Sequence, residues 1–253
     1  MKILVFTSKW IGLKLLDTLF SKYNKDEYLF IVSEPYSEQI IQSIEMNGHK
    51  YKLLNASTIS WIESRDEKYF DWLLNLWGSY IFSAELISRA HRSLNIHPSF
   101  LPYGRGRDSV VWSIRYGHPA GVTLHQIKNE IDKGLIYYQE QVKYDFPIPG
   151  GQLYNEVIET CFKVFNEKWP IIRSDKKLDL IYNSINKNTV FKRKDLFKDN
   201  YINLNEDKVT KELLLRILAH DFGENYCFKI LNDNKKYSLR LEIKEIDMET
   251  NDE

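Results

Sequence analysis

The sequence predicts an α/β fold: a doubly wound, mostly parallel sheet, followed by a small α+β appendage that ends in a β-hairpin. Three observations carry this expectation. Through the first half, short apolar runs alternate with segments of helical periodicity, the pattern of parallel strands covered by helices on both faces. Beyond Leu94 that rhythm gives way to shorter apolar pieces broken by a Pro-, Gly- and Arg-rich stretch. The last quarter then holds one helical segment and two strand patterns separated by Asn232-Asp233-Asn234, a turn composition.

In chain order, Lys2–Ser8 reads as a buried strand and Leu13–Phe20 has helical spacing of Leu and Phe. Tyr28–Ser33 is strand-like, and Ser37–Met46 is helical with Ile40, Ile41 and Ile44 on one side. Tyr51–Leu54 and Phe70–Leu76 supply further strands, and the alternation makes the fold Rossmann-like. Leu94–Ile96, Val122–Ile127 and Leu135–Val142 are the short pieces that follow. Gly150-Gly151 precedes a helix over Leu153–Trp169, with Leu153, Val157, Cys161 and Val164 at helical spacing. Ser174–Asn188 reads as a linker. Lys208–His220 reads as a helix, and Tyr226–Leu231 with Tyr237–Ile246 as the hairpin; Asp247–Glu253 is expected to fray. The expected division is a catalytic domain over 1–175 and a small domain over 188–253.

Lys and Arg together number 35, as do Asp and Glu, so the formal net charge is zero. Nucleic-acid binders carry a basic excess because phosphate neutralisation supplies much of their affinity, so no nucleic-acid partner is expected. The opening residues Met1–Phe6 run directly into a strand pattern, with no signal peptide and no apolar run of bilayer-spanning length. A cytoplasmic protein without membrane association is the expectation. Cys161 and Cys227 stand among apolar residues and read as buried thiols. His49, His91, His118 and His220 show no ligand spacing, and no metal is expected. The first strand leads into Thr7-Ser8-Lys9-Trp10-Ile11-Gly12, which lacks the G-x-G-x-x-G turn of dinucleotide binding, and no Walker phosphate loop occurs.

Chemistry concentrates in Ser93-Leu94-Asn95-Ile96-His97-Pro98-Ser99-Phe100-Leu101-Pro102-Tyr103-Gly104-Arg105-Gly106. Residues two apart in a strand share a side, so Asn95 and His97 project together where Pro98 ends the strand. An amide donor beside an imidazole can stabilise an oxyanion and move a proton; the plainer alternative is a loop-capping Asn95 and a hydrogen-bonded His97. A second piece, Gly121-Val122-Thr123-Leu124-His125-Gln126-Ile127 followed by Ile131-Asp132-Lys133-Gly134, brings a carboxylate that can meet His97 and favour its charged form, unless Asp132 only shapes its turn. His125 either faces the same place or makes a structural hydrogen bond.

Together these pieces resemble the formyltransferase family that uses 10-formyltetrahydrofolate. Its pattern N-x-H-x-S-x-L-P, Arg-Gly, G-V-T and D-x-G occurs in order over Asn95–Gly134, within a wider resemblance over Met1–Trp169. The resemblance implies a Rossmann-like catalytic domain, Asn95, His97 and Asp132 as catalytic residues, and 10-formyltetrahydrofolate as co-substrate with no metal. It also implies folate contacts from Asp132 and from the backbone of Tyr80, Ile81 and Phe82. Trp77, in the same loop, either stacks on a pyrimidine base or packs in the core. Lys9, Arg105 and Arg107 are candidates for a substrate diphosphate, as guanidinium pairs with phosphate oxygens; each also reads as solvated charge.

The tail, with Lys194-Asp195-Leu196, Leu214-Leu215-Arg216-Ile217-Leu218 and Lys236-Tyr237-Ser238-Leu239, resembles the nucleotide-sugar N-formyltransferases. The expected acceptor is therefore the amino group of a nucleotide-linked amino sugar, such as dTDP-4-amino-4,6-dideoxyglucose or a close isomer, feeding lipopolysaccharide O-antigen synthesis. Methionyl-tRNA or a purine precursor is the alternative acceptor, and the zero net charge and short tail count against the tRNA. A non-catalytic folate- or nucleotide-binding module is the alternative class, against which the complete trio stands. The hairpin suits strand addition between subunits, and a homodimer is expected.

Overall fold

Strand β1 (Lys2–Thr7) has no solvent-facing side: Ile3 and Val5 on one face and Leu4 and Phe6 on the other are all buried. A strand apolar at consecutive positions needs a parallel sheet covered twice, and the computed structural model has that arrangement. It describes residues 1–174, 180–183, 190–197, 208–219, 228–232 and 234–244. β2 (Glu27–Val32) pairs in parallel with β1, and β3 (Lys50–Leu53) pairs beyond it. On the other side β4 (Phe70–Leu76) pairs with β1 and β5 (Ala90–His97) with β4, again in parallel. β6 (Ala120–His125) and β7 (Ile136–Val142) then run antiparallel, completing a seven-stranded sheet in the order β3-β2-β1-β4-β5-β6-β7.

Helices cover both faces. α1 (Lys9–Tyr23) and α2 (Ser37–Met46) bury Leu15, Leu19, Ile40 and Ile44 in a cluster with Ile3, Val5 and Leu74. α3 (Ala56–Glu63) and α4 (Ala84–Ser88) bury Ile62 and Leu86 on the opposite face, with Leu4, Phe6 and Leu73. α5 (Ser109–Tyr116) and α6 (Gly150–Arg173) return to the first face. α6 carries the periodicity read from the sequence: Leu153, Val157, Cys161, Val164, Trp169 and Ile172 are all buried. Cys161 is a free thiol whose burial pushes its pKa up. Trp169 is 0% exposed, edge-on to Trp72 at 5.1 Å and stacked on Phe165.

The doubly wound sheet and the hairpin are as expected; α3, α4 and α5 are additions. α5 lies inside the Pro-, Gly- and Arg-rich stretch expected as a loop. It spans 8 residues, and Asp108 and Gly117 at its ends are both left-handed, so turn chemistry presses on it from both sides and hides its period.

Contacts divide the chain into units Met1–Arg193 and Lys194–Glu253. The first runs past the expected linker because Ile181 exchanges backbone hydrogen bonds with Ile136, and Phe191 pairs with the loop around Gly106. Further along lie α7 (Arg193–Phe197), α8 (Lys208–Ala219) and a hairpin of β8 (Phe228–Asn232) and β9 (Lys235–Leu239), with Asn234 left-handed at its turn. The strand expected over Tyr237–Ile246 stops at Leu239. Cys227, His220, Asp233 and the acidic tail fall outside the described residues.

Trp169→Ala empties the largest fully buried side chain of the core. A loss of about 3–5 kcal/mol in unfolding free energy is expected from urea denaturation; a loss below about 1 kcal/mol would contradict this account of the core.

Candidate active site

The chain runs outward from β1 through β2 to β3 and then crosses back to β4 on the other side of β1, and this reversal opens a crevice at the carboxyl ends of the strands. Lys9 follows β1 there, Asn75 stands near the end of β4, and Asn95 and His97 stand at the end of β5. The loop after β5 is locked by β6: the Thr123 hydroxyl donates to the Ser99 carbonyl (2.7 Å) and accepts from the Leu101 N–H (3.1 Å). One buried hydroxyl thus ties the S-x-L-P loop to the G-V-T strand, beside the β5–β6 pairing and the Gln139 amide, which donates to both Leu101 and Thr123.

The structure brings Asn95, His97 and Asp132 together. His97 is 6% exposed, and its Nε2 donates to the Gly104 carbonyl at 3.0 Å, which leaves Nδ1 as the lone-pair nitrogen. Asp132 is left-handed (φ 49°) and its Oδ2 accepts the Gly106 N–H at 2.8 Å. That carboxylate lies 3.7 Å from His97 Nε2 and 3.6 Å from His125 Nε2, beyond a good hydrogen bond. Burial pushes Asp132 up, yet His97, His125 and the Gly106 N–H together outweigh it, and its carboxyl sits well below the usual range. At His97 the carboxylate does favour the charged form, but it is not the largest influence. Burial lowers its pKa more than Asp132 raises it, so the imidazole is held neutral. A neutral imidazole with an open Nδ1 is a base.

Asn95 is held by two amide contacts. Its Oδ1 accepts from Asn75 Nδ2 at 2.8 Å, and its Nδ2 lies 2.9 Å from His125 Nε2. His125 Nδ1 is 2.7 Å from the Gln126 carbonyl, which can only accept, so in the neutral ring Nε2 carries the lone pair that receives Asn95. The β-bulge at Leu124/His125 occurs at this position. The second Asn95 amide hydrogen has no partner among the described residues.

The remaining expected residues separate. Arg105 is not offered to a phosphate: it is 6% exposed, and its Nε and Nη2 both donate to the Ile131 carbonyl, at 3.1 and 2.6 Å. It anchors the turn that presents Asp132. Lys9 and Arg107 are exposed. The Lys9 ammonium is shifted below its ordinary value, first by partial desolvation and then by Arg193 and Arg107, with the Asp108 carboxylate opposing them. Trp77 is half-buried and left-handed (φ 72°), its carbonyl takes the Ser8 hydroxyl at 2.7 Å, and it packs against the main core. Tyr80 stacks on Phe6, Phe82 is buried, and Ile81 is 69% exposed; the segment lies outside helix and strand. Among the described residues, no cluster of three or more His, Cys, Asp or Glu is placed to hold a metal, and no helix is long and apolar enough to cross a membrane.

Sequence reading missed Asn75, the Gly104 carbonyl, the Gly106 N–H and Arg193. Asn75 left a signal, as the polar residue in Trp72-Leu73-Leu74-Asn75-Leu76. Backbone groups leave none. Gly106 is needed for its φ of 93° and because a Cβ there would lie 2.3 Å from the Phe191 carbonyl.

The family model described as "Formyl transferase" matches residues 1–160, which covers every residue of the cluster except Arg193. The chain belongs to the formyl transferase family. Among its curated relatives, the dTDP-4-amino-4,6-dideoxyglucose formyltransferase of Mycobacterium tuberculosis is 29% identical over 164 residues, 63% of this chain and 68% of the relative. A 4-N formyltransferase from Francisella tularensis superimposes with a TM-score of 0.68 at 21% identity, over 97% of this chain and 98% of that one. The formyltransferase PseJ from Anoxybacillus kamchatkensis, solved in complex with UDP-4,6-dideoxy-4-formamido-L-AltNAc and tetrahydrofolate, does so with a TM-score of 0.53 at 23% identity, over 81% and 93% of the two chains. At these identities the solved structures establish the fold.

Arg105→Met should release the Ile131 carbonyl and destabilise the protein by about 1–3 kcal/mol, the cost of a buried unpaired group. Affinity for nucleoside diphosphates should stay within a few-fold, measured by calorimetry. Lost diphosphate affinity at unchanged stability would return the guanidinium to a phosphate.

Proposed function

We propose that the protein is an N-formyltransferase that moves a formyl group from 10-formyltetrahydrofolate to the amino group of a nucleotide-linked amino sugar, dTDP-4-amino-4,6-dideoxyglucose or a close isomer. One observation carries the reaction: a buried imidazole whose Nδ1 has no partner among the described residues stands beside an amide with one unpaired N–H, with the Asp132 carboxylate behind both. The amine lone pair attacks the formyl carbon, and the carbonyl oxygen becomes negative as the centre turns tetrahedral. The unpaired Nδ2–H of Asn95 donates to that oxygen. His97 Nδ1 takes the proton that the attacking nitrogen must lose. Asp132 then faces an imidazolium at 3.7 Å, and its charge stabilises this state without a proton passing between them. The departing folate nitrogen receives a proton from His97 or through a water held by Asp132, giving tetrahydrofolate and a formamide.

Support for the co-substrate comes from the family and from the segment at Tyr80–Phe82, which lies outside helix and strand and whose backbone makes no hydrogen bond among the described residues, so that it suits an edge-on pterin. The sugar assignment draws on the mycobacterial relative and on the zero net charge, which argues against tRNA. Lys9, Arg107 and Arg193 form a cationic group suited to a diphosphate. Trp77 remains the candidate for the base, through whatever face its core packing leaves open. A cytoplasmic homodimer serving O-antigen assembly completes the reading, and light scattering in solution tests the dimer.

Assayed with 10-formyltetrahydrofolate and a panel of nucleotide-linked amino sugars, the protein should formylate one of them. His97→Asn and Asp132→Asn should each lower kcat by about 10²-fold or more, with binding of a folate analogue little changed. Formylation of methionyl-tRNA with no sugar turned over would overturn the acceptor; undiminished turnover by His97→Asn would overturn the mechanism.

A further inference from the structure

Three amide- or imidazole-bearing residues stand in a row across the sheet. Asn75 on β4 is the register partner of Asn95 on β5, and Asn95 is the register partner of His125 on β6. Their side chains join in one chain of contacts whose two ends are backbone carbonyls. At one end Asn75 Nδ2 donates to the Gly78 carbonyl at 3.2 Å; at the other, His125 Nδ1 meets the Gln126 carbonyl at 2.7 Å. A carbonyl cannot donate, so each end fixes the direction of every bond between them. From Gly78, the Asn75 NH2 must point forward, and its second hydrogen reaches Asn95 Oδ1 at 2.8 Å. From Gln126, neutral His125 must present a lone pair on Nε2, which calls for the Asn95 NH2 at 2.9 Å. The two ends agree.

We propose that Asn75 is a positioning residue for formyl transfer: by donating to Asn95 Oδ1 it fixes the Asn95 amide with its spare N–H toward the reacting carbonyl. This rests on the formyltransfer reading given above. An Asn95 amide turned over by 180° would set Nδ2 against the Asn75 NH2 and offer an oxygen to the developing oxyanion. The local geometry is arranged around Asn75. Its side chain is 8% exposed, and its Oδ1 is buried without a hydrogen-bond partner. A Cβ at position 78 would fall 2.6 Å from that Oδ1, so glycine there is what lets the amide lie in place. A buried unpaired carbonyl oxygen carries a free-energy cost, and orientation of Asn95 is what this placement gains.

The test compares Asn75→Leu and Asn75→Asp with wild type by steady-state kinetics and thermal midpoint, then repeats Asn75→Leu in an Asn95→Ala background by single turnover. Turnover by wild type checks the formyltransfer reading separately. Asn75→Leu keeps the branched shape and removes the donor. Its kcat should fall by about 10-fold or more, a part of the 10²–10³ that such a donor supplies, while KM for both substrates changes less than about threefold. In the Asn95→Ala background the same substitution should cost almost nothing, because there is no amide left to orient. An equal loss in both backgrounds, or wild-type kcat in Asn75→Leu, overturns the proposal. Should Asn75→Leu fail to fold, Asn75→Asp decides. Ionised, it can only accept and repels Asn95 Oδ1; protonated, it can donate. Its kcat relative to wild type should therefore climb as pH falls, and a ratio flat across pH overturns the proposal.

Discussion

The ionised carboxylate of Asp132, buried between two imidazoles, is the constraint on which the rest of the site depends. A charge in that position is costly unless donors surround it. The Gly106 N–H supplies one, and the turn that carries Asp132 is braced by Arg105 on the Ile131 carbonyl. Phe191 in turn holds the Gly106 loop through paired backbone bonds and stacks on Trp112 at 4.6 Å. A segment far along the chain therefore braces the loop that contacts Asp132. The two shifts have the same consequence for acid stability. Asp132 titrates lower folded than unfolded, so its stabilisation is present at neutral pH and lost as pH drops below the ordinary carboxylate range. His97 also titrates lower folded, so as pH falls below 6.5 the unfolded imidazole gains a proton that the folded one resists. Both act against the fold in acid.

The chemistry divides between strands and loops. Asn75, Asn95 and His125 sit in register on three adjacent strands, where pairing fixes side-chain positions closely. His97 and Asp132 depend on loops, and their partners are the Gly104 carbonyl and the Gly106 N–H. In the proposed reaction the rigid part would orient the oxyanion donor and the loop part would set protonation. Proton transfer tolerates small adjustments of a ring that oxyanion stabilisation, with its demand on donor placement, does not.

Much of this was legible in the sequence. The unbroken apolar run in Lys2–Thr7 and the period-3.6 burial in α6 are local properties that tertiary structure only completes, so the doubly wound sheet could be read directly. That Asn95, His97 and Asp132 come together was readable from a strand end and a turn combined with the resemblance to the formyltransferases. The fate of Arg105 was not readable. Its sequence surroundings match those of a solvated phosphate ligand, and only the fold reveals that the Ile131 carbonyl occupies it. The balance at His97 was legible only in part: the neighbouring carboxylate favours imidazolium as its position suggests, whereas burial depends on the whole fold and prevails. α5 stayed hidden because glycine, arginine and a left-handed aspartate at its start carry stronger local signals than eight helical residues.

The central claim is that His97 rests as a neutral imidazole with its proton on Nε2 and a lone pair on Nδ1. Long-range nitrogen–proton NMR correlation on protein labelled with 15N at histidine reads this directly, with His97→Asn assigning the signal. At pH 7 the account predicts the neutral Nε2–H pattern for His97, with protonation only below pH 6.5. An imidazolium at pH 7, or a proton on Nδ1, would contradict it.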